Sequence, residues 1–366
     1  MTLYIKCKYK NDINTIMDRI SVKGYRSFKD LSLELRKINL LIGSNGAGKS
    51  NFLSLFELLG NTYEQRLGFH VAQMGGVDKF LYRGRKTTER ISIQVSQGNN
   101  CYDLTLMESD GRLIVEHEKL GYYQSFTEIC SYTQETALKT YNGMRRGDYI
   151  KDYISQIRKF HFHDTGRTSP FTKDSHFVND SYMLYAHGEN LAALLYRIMT
   201  EKPLEYKRII NVIRSVAPYF NDFYYYVSEA GTIRLQWRDR YSDMIYGPTD
   251  LSDGTIRFIA LTVLFMQPWL PKVIIIDEPE LGLHPVAIEK LAGLIKIAAQ
   301  QGTQVIVATQ SAELISNFQP EDVLTVNQHD GETIINRLSS EDLQTWLEDY
   351  TLGDLWKQNI MKGGQP

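Results

Sequence analysis

Val273-Ile274-Ile275-Ile276-Asp277-Glu278-Pro279-Glu280-Leu281-Gly282-Leu283-His284-Pro285 is the stretch on which the reading of this chain turns. Four consecutive β-branched residues predict a short strand buried on both faces, as in a parallel sheet. Two adjacent acids and a proline end it where charge begins. In an open α/β sheet, ligands bind beyond the carboxyl ends of the strands. Asp277 there can hold Mg²⁺ through oxygen, and Glu278 can orient a water. Alone, the stretch also fits an ordinary strand ending in a solvated acidic turn, the less favoured of the two readings. Partner motifs elsewhere decide between the two.

The first partner is Gly43-Ser44-Asn45-Gly46-Ala47-Gly48-Lys49-Ser50. It follows the apolar run Ile38 to Ile42 and precedes an apolar-periodic segment from Asn51 to Leu59. That is a G-x-x-x-x-G-K-S phosphate loop in its strand–loop–helix setting. Its glycines let backbone N–H groups turn inward around phosphates, and the following helix points its positive end at them. The pattern predicts that Lys49 reaches the β- and γ-phosphates of ATP and that Ser50 places its hydroxyl on Mg²⁺.

The second is Leu251-Ser252-Asp253-Gly254-Thr255, ahead of an apolar helix from Ile256 to Met266. A Ser-Asp-Gly-Thr start offers a hydroxyl and free N–H groups to an anion, although an N-cap needs no more. A third follows the buried run Thr303 to Ala308 and consists of Thr309-Gln310-Ser311. Between the quoted stretch and that strand, Ile288, Leu291, Leu294, Ile295 and Ala298 mark one face of a helix.

Composition bounds the rest. The 366 residues, 43% hydrophobic and 23% charged with net charge −2, suit a globular chain of one large or two intimate domains. No generally basic surface exists, so any DNA contact must be local. The apolar run from Phe258 to Met266 is too short to span a bilayer, and no signal pattern opens the chain. Cys7, Cys101 and Cys130 lack metal-ligand spacing and fit free thiols in the cytoplasm.

The remaining segments read as follows. Residues 1–16 are an N-terminal extension, and Met17 is a candidate true start. Residues 17–118 form a first ATPase lobe with the phosphate loop and short antiparallel strands. Residues 119–228 form a mainly helical insertion, 229–340 a second lobe with the acidic strand, and 341–366 a tail with a flexible Gly-Gly-Gln-Pro end. Arg83, Arg85, Lys86 and Arg90 make a basic run that can track a DNA backbone, while a solvated loop is the plainer reading. His161 and His163 fall on one face of a returning strand, without a visible third metal ligand.

Taken in order, the motifs resemble the ATP-binding-cassette heads of the SMC, RecF and OLD-like ATPases, and most closely the bacterial RecF/OLD-type AAA family ATPases without a long arm. The Gly282-Leu283-His284-Pro285 continuation carries this most specifically. The resemblance implies an α/β, ABC-type P-loop NTPase head with a mixed central sheet, an antiparallel β subdomain and an inserted helical lobe. It implies ATP bound by Gly43 to Asn51, with Arg26 near the nucleotide. Mg²⁺ is implied on Ser50 and Asp277, and Lys49, Glu278 and Gln310 are implied as catalytic. Ser252 and Gly254 would close over the γ-phosphate held by a second copy, and His163 and Asp164 would lie near the Q-loop position. Asp253 and Gln310 depart from the transporter pattern and imply slow hydrolysis. The function implied is an ATP-gated homodimeric switch in DNA repair or phage defence, with a separate nuclease or toxin effector and no membrane partner. The alternatives are an ATP-binding scaffold with little turnover and a transporter's nucleotide-binding subunit.

Overall fold

The computed structural model describes residues 16–123, 125–143, 145–166, 169–171 and 176–361. The expected N-terminal extension up to residue 15, with Cys7, and the Gly-Gly-Gln-Pro end lie outside the described residues. In chain order the strands are β1 (Arg19–Tyr25), β2 (Phe28–Glu34), β3 (Ile38–Ile42), β4 (Arg90–Gln97), β5 (Asn100–Ser109), β6 (Arg112–Tyr122), β7 (Ser125–Thr133), β8 (Ile157–Phe160), β9 (His176–Phe177), β10 (Phe220–Tyr224), β11 (Thr232–Ile233), β12 (Gln236–Asp239), β13 (Ile245–Tyr246), β14 (Val273–Asp277), β15 (Gln304–Thr309), β16 (Val323–His329) and β17 (Glu332–Arg337). The helices are α1 (Lys49–Tyr63), α2 (Leu67–Gln73), α3 (Arg145–Ser155), α4 (Leu191–Glu201), α5 (Pro203–Val216), α6 (Asp253–Met266), α7 (Pro285–Gln300), α8 (Ala312–Ile315), α9 (Ser340–Leu347) and α10 (Leu352–Lys357).

The apolar runs become the middle of a six-stranded mixed sheet in the order β17-β16-β3-β15-β14-β8. From β16 to β8 neighbouring strands are parallel, and β17 alone runs against its neighbour. Side chains alternate across a strand, so four branched residues in a row feed two cores. Ile274 and Ile276 pack with α4, α5, α6 and α7 on one face. Val273 and Ile275 pack with α1 and the second sheet on the other. The expected face of α7 holds, with Ile288, Leu291, Leu294, Ile295 and Ala298 all buried. Parallel pairing brings the carboxyl ends of β3, β14, β15 and β8 to one edge, which positions the site.

The second sheet is the expected antiparallel unit, ordered β2-β1-β4-β5-β6-β7. It is larger than the sequence suggested. The expected boundary at 118/119 falls inside β6, and β7 follows where helices were expected. Two things hide these strands. Glu118 is fully buried, with its carboxylate satisfied by Tyr102 OH at 2.7 Å and the N–H groups of Ala137 and Leu138 at 2.6 and 3.2 Å. A register shift at Thr105/Leu106, and another at Glu118/Lys119, then break the two-residue period. The 228/229 boundary likewise falls within one small sheet, since Tyr224 pairs with Gln236. At the other end Met17 is buried, and its carbonyl accepts from Gln304 Nε2 at 2.9 Å.

Candidate functional site

The phosphate loop is shaped from below. Gly46 and Gly48 hold φ of 79° and 113°, in the left-handed region that favours glycine. A Cβ on Gly48 would come within 2.2 Å of Thr333 Oγ1. That hydroxyl donates to Ala47 O at 2.9 Å and sits 2.8 Å from Ser27 Oγ, so β17 clasps the loop to the β1–β2 turn. Asn51 Nδ2 donates to Ser27 Oγ at 2.8 Å. Arg26, at φ 48°, lies over the Tyr25 and Phe80 rings and points Nη1 at Asn51 Oδ1, 3.4 Å away. Arg26 and Asn51 therefore back the loop through each other.

Lys49 is buried, and its Nζ donates to Gly43 O at 2.6 Å and Ser44 O at 3.0 Å. Burial lowers its pKa, while Glu278, Asp277 and Glu280 pull the other way. Ser50 Oγ is 3.5 Å from Asp277 Oδ2. Glu278 adopts φ 42°, rare for a residue with a side chain, and its N–H is fixed to Ala308 O at 2.8 Å. Gln310 Nε2 donates to Glu278 Oε1 at 2.6 Å and to Asn45 Oδ1 at 2.9 Å, tying three segments together.

Burial, and then Glu278 next door, raise the Asp277 pKa, with Lys159, His163 and His161 offsetting part of it. A hydroxyl and a carboxylate side by side, the acid poorly neutralised by the protein, form a hard oxygen donor set that suits Mg²⁺. The same crowding has a consequence for stability. A carboxyl with its folded pKa above the unfolded value holds its proton more tightly when folded. Its charge therefore costs stability at neutral pH, and the cost disappears as pH falls toward the ordinary aspartate range. Asp277→Asn is expected to raise the melting temperature of the nucleotide-free chain at pH 7, by a margin that shrinks on acidification. A midpoint lowered at pH 7, read by calorimetry, would contradict this.

Ser252 and Gly254 stand at the start of α6. Ser252 caps α6, its Oγ accepting from Thr255 N at 3.2 Å, and neither residue hydrogen-bonds to Lys49, Ser50, Asp277 or Glu278. Losing such a cap costs about 1 kcal/mol whatever else the serine does. Gly254 packs on the loop after β14, where a Cβ would lie 2.5 Å from Gly282 O. The buried Arg257, one turn on, donates to Phe162 O at 2.8 Å and His163 O at 3.0 Å.

The basic run is not an open stripe of charge. Arg85 makes a two-pronged pair with Asp78 and Arg90 another with Glu116, while Arg83 donates to Asp330 O. Carboxylates thus offset the charge of Arg85 and Arg90, two of the four residues of the run. His161 and His163 have ring centres 6.3 Å apart, and no metal-holding cluster of His, Cys, Asp or Glu occurs among the described residues. No helix among them is long and apolar enough to cross a membrane.

Several participants escaped the sequence reading. Glu280 lay in the quoted stretch without a role. It is buried, accepts from Thr309 Oγ1 at 2.5 Å and Gln310 N at 3.4 Å, and has its pKa raised by burial. Its signal was the third acid of the quoted stretch, after Asp277 and Glu278. Ser27 and Thr333 meet across 306 positions, and nothing local announces that.

Comparison with known proteins agrees with this architecture. Residues 109–316 match a family model described as "AAA domain, putative AbiEii toxin, Type IV TA system", and residues 16–165 match an "AAA ATPase domain" model. The Old nuclease of Escherichia phage P2 is 22% identical over 89% of this chain and 61% of its own length. The energy-coupling factor transporter ATP-binding protein EcfA2 of Latilactobacillus sakei is 37% identical, over 22% of this chain and 27% of its own. The chain thus spans less than two thirds of either relative. In fold it is similar to an Smc head bound to the C-winged helix domain of ScpA, with TM-score 0.55, 15% identity and coverage of 90% and 99%. A Pyrococcus furiosus Smc head with an extended coiled coil gives 0.53 at 14% identity, covering 91% and 98%.

Proposed function

This chain belongs to the AAA-domain family whose model spans its residues 109–316, and from that premise we propose that it hydrolyses ATP at a site completed by a second copy of itself. The observation that carries the reading is convergence. Lys49, Ser50, Asp277, Glu278 and Gln310 come from three separate stretches and meet at one sheet edge. Lys49 and the inward N–H groups from Gly43 to Ser50 hold the triphosphate. Ser50 and Asp277 would hold Mg²⁺, which would supply charge neutralisation for phosphoryl transfer. Glu278, steadied by Gln310, orients the attacking water and takes its proton. Ser252 and Gly254 of the second copy close the site, since in their own chain neither hydrogen-bonds to Lys49, Ser50, Asp277 or Glu278. Nucleotide occupancy and association are then linked: a ligand that adds contacts only in the closed dimer favours that dimer.

The reading extends to a cytoplasmic switch in DNA repair or phage defence that acts through a separate nuclease or toxin effector. Purified chain is expected to release phosphate from ATP in the presence of Mg²⁺, and to stop when the metal is chelated. No phosphate release in a single turnover, with ATP demonstrably bound, would overturn hydrolysis. It would favour a second reading, an ATP-binding scaffold, which Gln310 motivates because an amide carries no titratable proton.

A further inference from the structure

A cleft of about 590 Å³ opens at the amino ends of β8 and β14, away from the phosphate loop. Its volume lies within the range of small-molecule sites. Arg158, on the edge strand β8, lines it and is half-buried. Its Nη1 donates to Ser155 O at 2.7 Å and Ile157 O at 2.8 Å, and no carboxylate of the described residues pairs with it. A guanidinium has five N–H donors and stays charged, so this one keeps donors and a positive charge to spend. Burial lowers its pKa, and Glu64, which lines a neighbouring groove with it, pulls the other way without a salt bridge.

Aromatic rings also line the cleft. The Arg197 guanidinium lies 4.0 Å from the Trp269 ring centre and 5.8 Å from that of Tyr182. Glu201 holds Arg197 Nε at 3.0 Å, so its charge is spent and its plane acts as a brace for the indole. Phe160 closes the floor, and the buried Gln267 commits its amide N–H to Leu264 O. The cleft thus sets an unpaired guanidinium, Arg158, in one lining with the Trp269, Tyr182 and Phe160 rings.

We infer that this cleft binds a small molecule bearing a phosphate or carboxylate on a planar ring, with Arg158 taking the anion and Trp269 the ring. Neither the nucleotide site nor the second copy is needed for it. The test uses the full chain carrying Lys49→Ala, so that the phosphate loop does not compete. Calorimetric titration with phenyl phosphate, benzoate and inorganic phosphate separates the phosphate source, the carboxylate source and the contribution of the ring. Phenyl phosphate or benzoate is expected to bind once per chain with Kd below about 1 mM, and inorganic phosphate about tenfold more weakly. Arg158→Gln is expected to weaken the ring-bearing anion at least about tenfold, Arg158→Lys less so, and Trp269→Leu to erase the advantage of the ring. Binding of neither ring-bearing anion below about 1 mM would overturn the inference. So would unchanged binding in Arg158→Gln with a parental melting curve or, should that variant not fold, unchanged binding in Trp269→Leu.

Discussion

Glu278→Gln is expected to slow ATP hydrolysis by about 10²–10⁴-fold, the usual worth of a positioned general base, while ATP affinity changes little. The substitution is nearly isosteric. Gln310 Nε2, now 2.6 Å from Glu278 Oε1, finds an amide oxygen in the same place, so the link to Asn45 survives. The strained φ of 42° is no harder for glutamine than for glutamate. Only the ability to accept a proton is lost. Single-turnover phosphate release measures the effect, and a rate within a factor of a few of the parent would assign the base to another residue.

Lys49→Ala is expected to weaken ATP binding and to cut hydrolysis by about 10²–10³-fold, the loss seen when one donor aimed at developing charge is removed. Its ammonium lies within the loop, bonded to the carbonyls of Gly43 and Ser44, and its pKa is lowered by burial. Burial outweighs the pull of Glu278, Asp277 and Glu280, so the charge costs folding energy and alanine should leave the melting temperature unchanged or raised. Loss of binding with a native melting curve then points to the phosphates. ATP affinity equal to the parent's, read by calorimetry, would remove Lys49 from the site.

The central sheet was legible because burial on both faces writes an unbroken apolar run, as in β3, β14 and β15. The phosphate loop and Asp277–Glu278 were legible because their chemistry is local: residues a few positions apart act together. What stayed hidden depends on distant partners. Glu118 reads as a surface acid until Tyr102 and the 137–138 turn are beside it. Arg90 reads as free charge until β6 brings Glu116 against it. Arg26 was expected near the nucleotide; that its guanidinium lies over the Phe80 ring, over fifty residues on, is not legible locally. For Ser252 the chain alone explains an N-cap, and the larger role proposed for it requires a second molecule.

That requirement is open to direct measurement. Sedimentation velocity of the Glu278→Gln chain, with Mg²⁺ and either ATP or ADP, reports association when the closed state is no longer consumed by turnover. The account predicts a dimer with ATP, a monomer with ADP, and a monomer with ATP once Ser252 is also changed to arginine. A Glu278→Gln chain that binds ATP yet sediments as a monomer at every nucleotide concentration would contradict it.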